Sequence, residues 1–468
     1  MKHTLSVLSL VFLSVSGCLS LRPSSVDSTC APVLIKKTIA TPAPAPNKKT
    51  LDPEKTALPT AAPAQCLEEQ SVDAYNASIG LSNEAMGYVL KGNDNAAHGE
   101  LRDAIVNFSH ALKLNPLYAS AYNNRGNVYS GLGDLVRAEA DFMMAIKLNP
   151  KFASPLNNLG IIKYDTDLKG AIDCYSRAIT LSPNCFSLDN RGFARENIDD
   201  TQGALQDYSA SIKLQPTYFP AYYHRGCLRK KIGATEDAIQ DFNDAIRINP
   251  TDSLAYKHRG DLFWRANNAS FAIRDLDKSI SLDPKSSDAY ISRANVWRCV
   301  GNKDRAIQDF EKAIQIEPKN MWTYLELANA RSDKRESVKD YTRAIMVDPT
   351  WEPGFRNRGF ERYFLGDKNG ALADWNQALR LVPNKGLTHS VRGRLRAEFG
   401  DVTGAIAELT EAIRLDERLR YDSYCLRAKL RARIGDYKGS TGDAIEAFKL
   451  KPGHALNYFM RSVFRMKR

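Results

Sequence analysis

The chain has 468 residues and carries 65 Lys and Arg against 54 Asp and Glu, a net charge of +11. Ten prolines return on a near-fixed beat, at 116, 150, 183, 216, 250, 284, 318, 349, 383 and 452, with one beat missed at Glu417. Steps of 31 to 35 residues describe a stack of one short unit, which excludes an ordinary compact enzyme domain.

The chain opens MKHTLSVLSLVFLSVSGC. Lys2 supplies a short positive start, and the apolar run from Leu5 to Val15 is too short to span a bilayer as a helix. Val15, Ser16 and Gly17 then precede Cys18. These residues resemble a bacterial lipoprotein signal peptide over residues 1–17. The resemblance implies that Cys18 is lipidated, palmitate included, and becomes the new N-terminus. Leu19 in the next place, where an aspartate would direct otherwise, implies the outer membrane. Two or more acyl chains hold a soluble domain on a membrane. The alternative on the same residues is ordinary signal-peptidase cleavage beside the small Val15 and Gly17.

Residues 18–75 are poor in aromatic residues and include TPAPAPNKKTLDPEKTALPTAAPA. Such a segment buries too little apolar surface to fold alone, and its prolines favour an extended tether.

Residues 76–452 hold the repeats. The unit from Ala119 to Phe152 is the clearest. With its proline as position 32, small residues stand at positions 8, 20 and 27 (Gly126, Ala138, Ala145). Aromatic residues stand at 4, 11 and 24 (Tyr122, Tyr129, Phe142), and Gly133 sits at 15. Positions 4, 7, 8 and 11 share one face of a first helix, and 20, 24 and 27 one face of a second. Small residues let the two helices approach, and aromatics fill the space that remains. The glycine turns the chain, and the residue pair ending in proline stops the second helix. This pattern resembles the tetratricopeptide repeat (TPR) family. The resemblance implies an all-α fold of about eleven helical hairpins in a right-handed superhelix, with a concave groove lined by each first helix. It also implies a binding protein for proteins or peptides.

Position 7 is usually arginine and position 23, sixteen residues on, usually acidic. The pairs are Arg125/Asp141, Arg191/Asp207, Arg225/Asp241, Arg259/Asp275, Arg293/Asp309, Arg358/Asp374, Arg392/Glu408 and Arg427/Asp443. They read as structural ion pairs that clamp the first helix on the second. In the third unit both positions change together, to Leu159 and Cys174, which suggests that they touch. The eighth unit keeps Asp340 opposite Leu327, so this aspartate needs another partner. That unit is three residues short near 330–335, and a bend is expected there between units one to seven and nine to eleven.

Position 6 is asparagine at Asn124, Asn158, Asn190 and Asn357, the first three in consecutive units. An amide both donates and accepts, and this ladder resembles the one that holds extended polypeptide in some TPR superhelices. Tyr223, His224, Lys257 and His258 continue the expected groove. The chain departs from the carboxylate-clamp pattern of that family. Residues 453–468 read as a basic capping helix, and residues 420–468 carry 12 Lys and Arg against 4 Asp and Glu. Of the cysteines, Cys30 and Cys66 are able to pair in an oxidising compartment, and Cys174 reads as a small buried residue. Neither a phosphate-binding glycine loop, a zinc-protease motif nor a nucleophile elbow is present. No catalytic residue, cofactor or metal is expected, and nucleic acid is a poor partner for an exported protein. The expected function is a membrane-tethered scaffold in a bacterial envelope that binds proteins or extended peptide. The alternatives are a self-associating structural protein, or an accessory subunit binding an anionic glycan or lipid through the basic end.

Overall fold

The computed structural model describes residues 75, 76, 78–80 and 82–452. The expectations for residues 1–74, Cys18 among them, and for 453–468 lie outside the described residues. The rest forms two compact units, one ending at Leu282 and one starting at Asp283.

The first unit holds six hairpins: α1–α2 (Asn83–Ala97, Leu101–Leu114), α3–α4 (Ala119–Gly131, Leu135–Leu148), α5–α6 (Ala153–Lys163, Leu168–Leu181), α7–α8 (Cys185–Asn197, Thr201–Leu214), α9–α10 (Phe219–Ile232, Thr235–Ile248) and α11–α12 (Ser253–Arg265, Ala269–Leu282). The second holds five: α13–α14 (Ser287–Cys299, Lys303–Ile316), α15–α16 (Met321–Ala330, Lys334–Val347), α17–α18 (Glu352–Phe364, Lys368–Leu381), α19–α20 (Gly386–Glu398, Val402–Leu415) and α21–α22 (Arg420–Arg433, Tyr437–Leu450). Among the described residues every regular element is helical, and each unit is an all-α stack of the expected hairpins.

Local sequence explains each hairpin. In most hairpins the turn between the helices places a residue at positive φ, as with Gly133 at 79° and Gly233 at 85°. In two turns that lack glycine, Asp199 (62°) and Asn267 (59°) take the same conformation, the two residue types that tolerate it best. The next residue is often aspartate, and its side chain caps the second helix: Asp134 accepts from the Arg137 N–H and Asp367 from the Gly370 N–H. At the far end Asn149 and Asn249 are forced out of helical conformation by the proline that follows, and their side chains accept from the N–H of Lys151 and Thr251.

Packing follows the size pattern. Ala138, Ala145, Ala238 and Ala245 are fully buried, and the aromatic at position 24 fills the hairpin: Phe142, Tyr175, Tyr208, Phe242 and Trp375 are all 1% exposed or less. Glycine at position 8 makes room for that ring. A Cβ on Gly126 would lie 2.7 Å from Phe142, and one on Gly160 2.6 Å from Tyr175. Leu159 and Cys174 are buried in one cluster with Phe142 and Tyr129, so the joint change to apolar residues keeps a contact that is elsewhere ionic.

The short hairpin loses its three residues from its first helix. α15 has 10 residues where α13 and α17 have 13. It lies inside the second unit, packed against α14 and α17. The boundary between the compact units falls earlier, after Leu282.

Candidate functional site

The eight sixteen-residue pairs all close, at 2.5 to 2.8 Å. Asp141, Asp207, Asp241, Asp275, Asp309, Asp374, Glu408 and Asp443 are each more than nine-tenths buried. These carboxylates are therefore interior groups of the hairpins. Asp141, Asp275 and Asp309 illustrate it: each lies under its own arginine, Arg125, Arg259 or Arg293, with both oxygens taken by that guanidinium, so none of them is a surface on which a ligand could rest.

The arginine reaches further than the sequence pattern shows. Its Nη1 also donates to a side chain on the second helix of the preceding hairpin: Arg125 to Ser109, Arg225 to Ser209, Arg259 to Asn243, Arg358 to Thr342 and Arg427 to Thr410. One guanidinium therefore joins three helices and fixes one hairpin on the next. A second arginine four residues on, at position 11, donates to the same carboxylate in several repeats: Arg195 to Asp207, Arg229 to Asp241, Arg362 to Asp374 and Arg431 to Asp443. This second arginine answers the question of Asp340. Arg331, at position 11 of the short hairpin, binds it at 2.5 Å. Sequence reading misses the role because position 11 is aromatic in the clearest unit; the recurrence of arginine there is the available signal.

The expected asparagine ladder exists, but its direction is inward. Successive first helices touch one another in each unit, α3 with α5 and α9 with α11 for example. Position 6 lies at that seam. Asn124 donates to Asn93 at 3.0 Å, Asn158 to Asn123 and Asn127 at 3.1 and 2.8 Å, and Asn190 to Asn157 at 3.2 Å. The rule continues when the residue type changes: His224 meets Asp189 at 3.1 Å and His258 meets Tyr223 at 3.2 Å. Each of these position-6 side chains thus bonds the preceding repeat. Asn158, Asn190, Lys257, His258 and Asn357 are buried. This corrects the reading of these five as groove-facing ligands. Both amide hydrogens of Asn158 are already donated, so it offers no donor to a peptide. Asn124, Tyr223 and His224 remain partly exposed.

His224 and His258, in adjoining repeats, each lie with their ring centroid 5.8 Å from that of Tyr223. The two rings live in opposite fields. Burial opposes a charge on His224, yet the Asp189 carboxylate prevails and raises its pKa. Burial, then Lys230 and Lys257, push His258 down to about 3 against the opposing pull of Asp261. Lys230 Nζ donates to His258 Nδ1 at 2.9 Å, as a neutral imidazole requires. The signs of linkage differ. The contribution of His224 is complete below the ordinary histidine pKa of about 6.5 and is lost as pH rises through its folded value. His258 contributes above about 6.5, and its contribution is lost as pH falls from there toward 3, because only the unfolded ring gains a proton in that window. His258→Gln is expected to flatten the loss of stability between pH 7 and pH 4.5, read as urea midpoints. Identical pH slopes for the variant and the natural chain would remove His258 from the account.

Beside polar side chains such as Asn127, Glu196, Lys230 and Asp261, the inner face of the first unit carries a run of partly exposed rings. Positions 5, 6, 9 and 12 of a first helix share one side. There Tyr164 stacks on Phe193 (centroids 5.5 Å), Phe193 meets His224 (5.4 Å), and Tyr223 joins His224 to His258. Phe219 stacks on Tyr223 at 5.8 Å. Tyr164, Phe193, Phe219 and Tyr223 are all partly exposed. The row runs from Tyr164, the residue that follows α5, across α7 and α9 to the buried His258 on α11. No group of three His, Cys, Asp or Glu able to hold a metal occurs among the described residues. No helix among them is long and apolar enough to cross a membrane.

Models of the tetratricopeptide repeat match residues 119–152 and, in a second form, 219–252 and 289–320; a TPR repeat model matches residues 92–133. These segments match the tetratricopeptide repeat. Comparison with curated proteins gives no match. Among solved structures, a MamA protein shares 25% identity over 36% of this chain and 92% of its own, with a TM-score of 0.34. A tetratricopeptide repeat protein from Parabacteroides merdae shares 21% over 53% and 99%, with a TM-score of 0.41. YrrB, described as a TPR protein with an unusual peptide-binding site, shares 22% over 39% and 95%, with a TM-score of 0.34. The hairpins of this chain bring together recurring buried ion pairs and, in the first unit, a run of partly exposed rings.

Proposed function

We propose that this chain is a TPR scaffold, tethered through Cys18 to a membrane of a bacterial envelope, that holds an extended segment of a partner protein along the inner face of its first unit. The observation that carries the reading is the row of partly exposed rings at the end of α5 and on α7 and α9, standing on a framework whose charged and amide groups are already paired. A surface of fixed rings offers contact area at little entropic cost, and the stack beneath supplies the rigidity. The tether follows from Val15, Ser16, Gly17 and Cys18 at the end of an apolar run.

Capture from solubilised envelopes tests the groove. The double variant Tyr164→Ser, Phe193→Ser is expected to lose its partners at least tenfold, while Met143→Ser, on a second helix and 56% exposed, keeps them. Equal capture by all three proteins would dismiss the inner face as the binding surface. Labelling with a palmitate analogue, compared with Cys18→Ala, tests the anchor separately.

A further inference from the structure

We propose that the occupant of this aromatic face, in the resting protein, is the chain's own proline-rich segment, residues 56–64, so that a foreign partner must displace it. The inference rests on the groove reading above and adds to it the chemistry of the ligand and a means of regulation.

Three observations converge. The first is chemical. The segment TALPTAAPA has two prolines, small residues between them and no charge. Proline-rich chain docks on aromatic-lined grooves because the pyrrolidine ring lies flat on an aromatic face and the extended backbone is already ordered. Such a backbone displays carbonyls and lacks N–H groups at proline, so it needs donors from its host. Tyr164 is one. Its hydroxyl accepts from Asn197 Nδ2 at 2.6 Å, which leaves its own hydrogen to donate, and burial pushes its pKa up to about 12, so that hydrogen is retained.

The second is length. Nine residues of polyproline helix extend about 28 Å at ~3.1 Å each. The open rings run from Tyr164 to Tyr223, two repeat steps at roughly 10 Å each by ordinary helix packing. The segment is long enough to cover them.

The third is reach. The segment is joined to the fold at its first described residue, Tyr75, whose hydroxyl donates to the Leu117 carbonyl at 2.9 Å, just ahead of α3. Ten residues lie between 64 and 75, eleven residue steps, and extended chain of that length covers at most about 36–40 Å. One or two repeat steps lead from α3 to Tyr164 at the end of α5. The segment therefore reaches the platform with slack, and its covalent attachment holds it there at an effective concentration on the order of millimolar.

The test uses a fluorescent peptide of residues 41–64 and two forms of the whole chain: the natural one, and one in which residues 41–64 are replaced by a Gly/Ser stretch of equal length. The peptide is expected to bind the replaced form saturably and the natural form at least tenfold more weakly, because the attached copy competes. A peptide carrying Pro59→Ala and Pro63→Ala is expected to bind the replaced form at least fivefold more weakly, and this comparison leaves the protein untouched. Failure of the peptide to bind the replaced form, or equal binding of the two peptides, overturns the proposal. Equal binding of the natural peptide to both protein forms also overturns it, assigning the face to a foreign segment or a second copy. Either outcome leaves the scaffold reading intact if the Tyr164→Ser, Phe193→Ser variant still loses its partners.

Discussion

Replacing Asp241 with alanine is expected to destabilise the first unit by about 3 kcal/mol, the lower end of the range for breaking a buried ion pair from one side. Asp241 is 1% exposed and accepts from both Arg225 (2.7 Å) and Arg229 (2.8 Å). Its removal strands two guanidiniums in a place built to hold a carboxylate. Their side chains are 16% and 24% exposed, so water recovers part of the loss, which is why the upper end is not reached. Arg225 would also lose the orientation that places Nη1 on Ser209, and with it a stitch to the preceding hairpin. The contrast is Asp244, whose bond to a 66% exposed Arg247 lies on the surface; Asp244→Ala is expected to cost no more than about 1 kcal/mol. Because stacked repeats need not unfold all together, amide exchange in α9 to α12 is the suitable measurement. A loss below about 1 kcal/mol for Asp241→Ala would show that the arginines find other partners.

The largest single effect in the second unit is expected from Trp375→Ala, about 3–5 kcal/mol by the usual cost of emptying a large aromatic site. The indole is 1% exposed, packs against Phe360 (centroids 5.5 Å) and Tyr363 (6.0 Å), and its Nε1 donates to the Arg356 carbonyl at 3.2 Å. It also joins the core made with Val391 and Leu395 of the next hairpin, so the cavity would lie between repeats as well as within one. The opposite fault is Gly359→Leu. A Cβ there would sit 2.5 Å from Nε1, and overpacking of this kind costs about 1–3 kcal/mol. Since the two faults are a gap and an excess in the same place, the double variant is expected to be more stable than the sum of its parts predicts. Denaturation of all three variants checks it, and strict additivity would mean that glycine and indole do not share the space.

These two predictions also mark how much is legible beforehand. The pairing of Arg225 with Asp241 rests on a constant separation of sixteen residues, and the pairing of Gly359 with Trp375 on another. Both are contacts inside one hairpin, where a turn of fixed length sets the register. The same separation carries Arg125 to Asp141, Arg259 to Asp275 and Arg293 to Asp309, but it does not reveal that these aspartates are buried. The turn itself is equally local, since Gly133 and Asp134 act on neighbouring backbone groups. Local geometry of this kind repeats in the letters because the structure repeats.

Contacts between hairpins behave differently. Asn158 and Asn190 read as facing a ligand because position 6 lies on the inner side of its helix, which is true of an isolated helix. Whether that side meets solvent or the next repeat depends on the rotation between consecutive hairpins. No residue encodes that angle alone; it emerges from the sizes of the side chains at every seam. Arg331 and Asp340 are different: their contact lies within one hairpin and repeats the position-11 bond of Arg195 to Asp207 and Arg229 to Asp241, and there the recurrence of arginine is the signal in the sequence.

The amino-acid sequence alone determined the repeated helical hairpin, the glycine and aromatic that mesh within it, and the ion pair that clamps it, since all of these are settled by spacing along one short stretch of chain. Only the tertiary structure decided which polar residues are used up between repeats and which rings are left open to solvent at the end of α5 and on α7 and α9. The physical reason is that burial is a property of two surfaces meeting, and residues some thirty positions apart carry no mark of the angle at which they will meet.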